Sequence, residues 1–249
     1  MKSSNILEEF LPLWIDSQYK LHKVIRWSNR INDGIGKKMI LQSTLQHTIS
    51  FVLFSTTSVM RLQPHIQEAL GKKLDASLLK TTFETHDLGE MLTKEGDVSG
   101  PNKTYLDDLN EYLKVKELFS SMPVYVASEL EYSFLVQFAL SLPECFPHKA
   151  REIMSKIQKN HYYEALTFQA LEKFEYLFYP LWMWKEKRHP YLLTWLIRLY
   201  LLRYREFAEK LPGFRQEIFT YSLEEWMLDF LKEHENVPEE NGKIVKIVA

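Results

Sequence analysis

The run Thr85-His86-Asp87-Leu88-Gly89-Glu90 holds the side chains best suited to chemistry. His86 and Asp87 are adjacent at the end of an apolar-periodic helix, and Glu90 follows on nearly the same helical face. Imidazole and carboxylate together suit a divalent transition metal such as Mn, Fe, Co, Ni or Zn, and Mg is the hard-cation alternative. A His-Asp pair is common by chance, so its weight depends on what joins it. In a helical bundle, facing helices can each bring one ligand to a shared site. His47, in the first turns of an earlier helix, is one such residue. Glu172 is another, on the mostly apolar run Ala170-Leu171-Glu172-Lys173-Phe174-Glu175-Tyr176-Leu177. A carboxylate buried on such a helix needs a partner, and Glu175 competes with Glu172 for the role. The expected centre is therefore one divalent cation held by His47, His86, Asp87 and Glu172.

These residues require an all-helical frame. Asn5 to Trp27 has apolar residues at helical spacing and reads as one or two helices. Asn32-Asp33-Gly34 is a turn, and 37–44 is a connector. Helical spacing resumes from about Ser43 to Met60. Asp75 is an N-cap for the helix that ends at His86. A polar loop from Thr93 to Thr104 follows, bearing Gly96, Gly100 and Pro101. Further helices are expected over about Leu106–Met122, Val126–Leu142, His148–Lys159 and His161–Trp184, the last kinked at Pro180. Two more are expected over Pro190–Lys210 and Arg215–His234, separated by Leu211-Pro212-Gly213. No alternating pattern is long enough for a sheet, and no repeat is present. The expectation is one helical domain over residues 1–249, with a weakly ordered charged tail from Glu235.

Composition narrows the function. The 249 residues are 45% hydrophobic and 26% charged, as in an ordinary globular protein. Asp+Glu number 33 against 31 Lys+Arg, and the net charge of −2 gives no basic surface of the kind nucleic acids need. A single cysteine, Cys145, excludes an intrachain disulfide framework and a cysteine-based zinc site. It fits a reducing, cytoplasmic setting. The N-terminus lacks the apolar core of a signal peptide. The most apolar stretch, Tyr191 to Leu202, is interrupted by Arg198 and is too short to span a bilayer. The aromatic band Phe174, Tyr176, Phe178, Tyr179, Trp182 and Trp184 is core material that is also available to bury one side of a homodimer.

His47, the His86-Asp87 pair and a late acidic residue resemble the HD superfamily of metal-dependent phosphohydrolases. The run His86-Asp87-Leu88-Gly89-Glu90-Met91-Leu92-Thr93 is especially similar to the subgroup that includes bacterial 5′-deoxynucleotidases, which has His-Asp and then Glu three residues later. Arg26-Trp27 resembles that subgroup's Arg-Trp pair, and Pro101, Lys103 and Thr104 are similar to its Pro- and Lys-bearing loop. The likeness covers Ile25 to Leu177. It implies an HD-like helical core over about 25–180, with C-terminal helices over about 190–234 as an addition.

The resemblance implies that Arg26 contacts a phosphate, Trp27 lies beside a sugar and Lys103 helps neutralise the phosphate. Glu90 would orient or deprotonate water, or protonate the leaving alkoxide. The implied substrate is a small phosphorylated metabolite, a nucleoside 5′-monophosphate above all. Three departures stand out. Glu172 replaces the family's usual Asp, Gln46 stands where a Glu usually precedes the first His, and the Arg26–His47 spacing is longer. The acidic residue that follows the motif in the subgroup corresponds to Glu95 or Asp97. A chain with such departures also fits a degenerate member that binds metal or nucleotide as a sensor without turnover.

Overall fold

The computed structural model describes residues 25–26, 42–90, 92, 103–187 and 190–235. Expectations for the N-terminal helices before Ile25, for Trp27, for most of the loop between Thr93 and Lys103 and for the tail beyond Glu235 fall outside those residues. The described chain is helical, as the periodicity predicts. Its one extended feature is an antiparallel pairing of two-residue strands, β1 (Ile25–Arg26) and β2 (Gln42–Ser43), in register Ile25 with Ser43 and Arg26 with Gln42. Residues 25–26 thus pair as a strand where apolar spacing suggested the end of a helix. So short a ladder leaves no alternation to read in sequence.

Ten α-helices follow among the described residues. They are α1 (Thr44–Leu70), α2 (Ala76–Thr85), α3 (Tyr105–Phe119), α4 (Val124–Leu135), α5 (His148–Asn160), α6 (Tyr162–Glu175), α7 (Phe178–Lys187), α8 (Tyr191–Lys210), α9 (Phe214–Glu217) and α10 (Tyr221–Glu233). A 3-10 turn, His86–Gly89, continues α2, and another, Val136–Phe138, continues α4.

Several boundaries differ from the sequence pattern for identifiable reasons. α1 runs ten residues past Met60 and through Pro64. Proline frees the carbonyl four residues earlier, and both Met60 and Pro64 are exposed, so water can satisfy it. The stretch from His161 to Trp184 is two helices that meet at Tyr176–Leu177. Pro180 lies in the first turn of α7, where a missing N–H removes no helical bond. The last stretch also divides, because the Thr220 hydroxyl accepts from Leu223 N at 3.3 Å and caps a new helix, α10. Asp75 caps α2 as its sequence predicts, accepting from Leu78 N at 2.9 Å.

The backbone gathers into two compact units, Met1–Val52 with Lys80–Lys156, and Leu53–Leu79 with Ile157–Ala249. In the first, α3 packs on α4 and on the His86–Gly89 turn. Its core contains fully buried Phe51, Phe83, Phe134, Leu135 and Met154. In the second, α8 is central and is packed by α6, α7, α9 and α10. Phe174 there meets Phe54, Tyr204 and Phe214, with ring centroids 5.6–6.2 Å apart. No helix of the described residues is long and apolar enough to cross a membrane.

Candidate metal centre

His47, His86 and Asp87 come together in the first unit. Each offers one ligand atom, and the three atoms lie within 4.8 Å of one another. All three side chains are buried, at 2%, 4% and 6% exposure. Asp87 uses both oxygens. Oδ1 is 3.1 Å from His86 Nε2, and Oδ2 is 3.6 Å from His47 Nε2. Oδ2 also accepts from the Thr48 hydroxyl at 2.9 Å.

Local structure sets each orientation. Phe51 lies one turn beyond His47 on α1, and their rings are parallel within 3° at 5.9 Å. Phe51 makes T-shaped contacts with His86 and Phe83, with ring centroids 4.8 Å and 5.3 Å apart. The helix α2 tightens into a 3-10 turn at His86. This brings His86 Nδ1 to 2.9 Å from the Phe83 carbonyl. A carbonyl oxygen only accepts, so Nδ1 carries the proton and Nε2 is the ligand-type nitrogen in the neutral ring. Such a backbone bond fixes tautomer and ring orientation in metal-binding histidines. Gln137 Nε2 donates to the His86 carbonyl at 3.4 Å and to the Phe134 carbonyl at 3.1 Å, joining the turn to the end of α4.

The donor set therefore fits a divalent cation of the borderline class. Two imidazole nitrogens and a carboxylate converge in a buried place, and one imidazole has its tautomer set. Glu90 ends the same turn, 6% exposed, with its N–H bonded to the Asp87 carbonyl at 3.1 Å.

A second layer of charge lies against this turn. Thr104 and Asp107 form a capping box that starts α3, with Asp107 accepting from Thr104 N at 2.7 Å. Lys103 precedes the cap. Its Nζ lies 2.8 Å from Glu111 Oε2 and 3.4 Å from Asp108 Oδ1. Burial works against the Lys103 ammonium, but the carboxylates of Glu111, Glu90 and Asp108 outweigh it and hold its pKa above the ordinary value. Burial pushes the Glu111 carboxyl up to about 7 despite Lys103, with the charges of Asp108 and Asp87 adding to the rise. Glu111 also packs closely on the turn. A Cβ on Gly89 would stand 2.4 Å from Glu111 Cβ, so only glycine admits α3 at this distance.

Of the residues singled out by sequence, His47, His86 and Asp87 form the cluster. Glu90 and Lys103 belong to the charged layer of the same unit. Arg26 is described at its backbone, where it pairs with Gln42 two residues before α1 begins. Glu172 lies on α6 in the second unit. Its Oε1 accepts from the Tyr176 hydroxyl at 3.1 Å, and its Oε2 is 3.0 Å from Lys173 Nζ. Glu175 on the same helix is more deeply buried, at 3% exposure. Thr48, Asp108 and Glu111 were missed. A signal for Glu111 existed, because it falls on the stripe Glu111, Tyr112, Val115, Phe119 that α3 buries.

Comparison with protein-family models, with curated proteins and with solved structures found no match to this chain. The likeness to the HD superfamily rests on the residues quoted above.

Proposed function

We propose that this protein is a metal-dependent phosphohydrolase that cleaves a small phosphate monoester, with a nucleoside 5′-monophosphate as the favoured substrate. The observation that carries this reading is the buried His47–His86–Asp87 cluster, with the buried Glu90 at the end of the same turn. A divalent cation held by these three side chains would supply Lewis acidity and lower the pKa of an attacking water. The protein's own residues do the rest. The Phe83 carbonyl keeps His86 in the ligand tautomer, and Thr48 fixes Asp87. Glu90, as carboxylate, takes a proton from the water whose oxygen attacks phosphorus. It returns that proton to the ester oxygen as the P–O bond breaks, leaving an alcohol and inorganic phosphate. Arg26 is the phosphate-binding cation in this proposal, since its planar fork matches two phosphate oxygens. The β1–β2 pairing supports it by bringing the Arg26 backbone to the start of the helix that bears His47. Trp27 belongs to the same proposal.

The test is phosphate release from a panel of ribo- and deoxyribonucleoside 5′-monophosphates, with protein loaded with Mn, Co or Mg. Turnover that disappears in His47→Ala and Asp87→Ala supports the reading. A second reading, binding of metal or nucleotide without turnover, rests on Gln46 and Glu172 standing where the resembled family usually has Glu and Asp. Metal binding with no release from any member of the panel selects it. Failure to bind any divalent ion removes both.

A further inference from the structure

The Lys103–Glu111 pair has a use that a phosphate-binding lysine would not have. The capping box at Thr104 fixes the backbone beside Lys103. From that root the ammonium reaches Asp108 at 3.4 Å and Glu111 at 2.8 Å. The Glu111 side chain is nearly buried at 3%, while that of Lys103 is 24% exposed. Among the described residues, the charges that act on Lys103 are the carboxylates of Glu111, Glu90 and Asp108. An ammonium held this way has its donors directed at acids. Glu111 in turn rests its Cβ on Gly89, between Asp87 and Glu90.

We infer that Lys103 and Glu111 are positioning residues that lock the His86–Glu90 turn against α3, so that Lys103 acts on the centre through Glu111 and the turn rather than through the substrate's phosphate. This rests on the proposed metal site and assigns a different task to Lys103. The pair forms a strut. Glu111 needs the ammonium because it is buried, and the ammonium needs Glu111 to hold its direction. With either gone, the remaining partner is left poorly compensated and the turn loses the packing that aims His86 and Asp87.

The test uses the full chain with Lys103→Met, Glu111→Gln, the double variant and Lys103→Arg. Mn2+ alone is titrated into each by calorimetry, and each is melted without metal. A strut predicts that both single changes weaken Mn2+ binding, by about tenfold, as loss of outer-sphere support does. The double variant binds no more weakly than the worse single variant, and Lys103→Arg restores most of the affinity. Charge alone predicts opposite signs, because removing a nearby cation tightens Mn2+ binding while removing a carboxylate loosens it. Tighter binding in Lys103→Met therefore overturns the inference. So does unchanged Mn2+ binding in Lys103→Met with a KM for nucleotide raised tenfold and kcat intact, which marks a phosphate contact. If the unaltered protein binds no Mn2+, the functional reading falls and the pair is judged by melting. Losses that fail to add support the strut, and fully additive losses refute it.

Discussion

Gly89→Ala puts the centre's dependence on backbone packing to a direct test. The added Cβ would stand 2.4 Å from Glu111 Cβ, 2.9 Å from its Cγ and 3.1 Å from its Cα. Carbon atoms pack at about 3.5–4.0 Å, so the turn and α3 must separate by about 1 Å. Two of the three atoms met lie at the root of the Glu111 side chain, so a rotamer change cannot relieve the contact. Over-packing of this kind costs about 1–3 kcal/mol. At ~2–4 °C per kcal/mol, the melting temperature falls by roughly 2–12 °C. The displaced turn carries Asp87 and Glu90, so Mn2+ affinity falls as well, by about tenfold. Gly71→Ala is the control. Its φ of +65° makes alanine costly, yet nothing lies within 4 Å of the new Cβ. It should lose about 1–2 kcal/mol with Mn2+ binding unchanged. Glu111→Ala keeps its Cβ and does not rescue Gly89→Ala, whereas Glu111→Gly removes the clash and partly does. The assays are thermal melting and Mn2+ calorimetry. If Gly89→Ala melts within a degree of the original and binds Mn2+ equally well, the reasoning about close approach is wrong.

Two further outcomes are expected. Glu90→Gln keeps Mn2+ affinity within about threefold but lowers kcat by about 10²–10⁴, the usual contribution of a general acid–base group; unchanged phosphate release removes Glu90 from the chemistry. In the second unit, burial opposes ionisation of Glu224, but hydrogen bonds and charge from Arg205 and Arg215 outweigh it and lower its pKa below 4.5. A depressed carboxyl contributes stability that is complete above 4.5 and lost as pH falls through the folded value. Glu224→Gln should therefore lower the melting temperature at pH 7 and flatten its decline below pH 4.5; an unchanged acid limb would refute this.

The sequence alone determined the helical class, because apolar residues recur at helical spacing in stretch after stretch and local periodicity needs no partner to be read. It also determined the chemical character of the centre. His86 and Asp87 are neighbours in the chain, and a carboxylate three residues on shares their face by helical geometry. The cap at Asp75 was legible for the same local reason. Only the tertiary structure decided what depends on residues far apart in sequence. His47 joins Asp87 across 40 positions, Phe51 fills the angle between two imidazoles, and Lys103 meets carboxylates on α3. The run through Pro64 also depends on context, since exposure of that face decides whether the freed carbonyl is tolerated. Glu111 illustrates the division best. Its place on a buried stripe is written in the spacing of α3. Its counter-ion and its contact with Gly89 arise only once α3 is laid against the turn, because burial and electrostatic compensation belong to the packed chain and to no single segment of it.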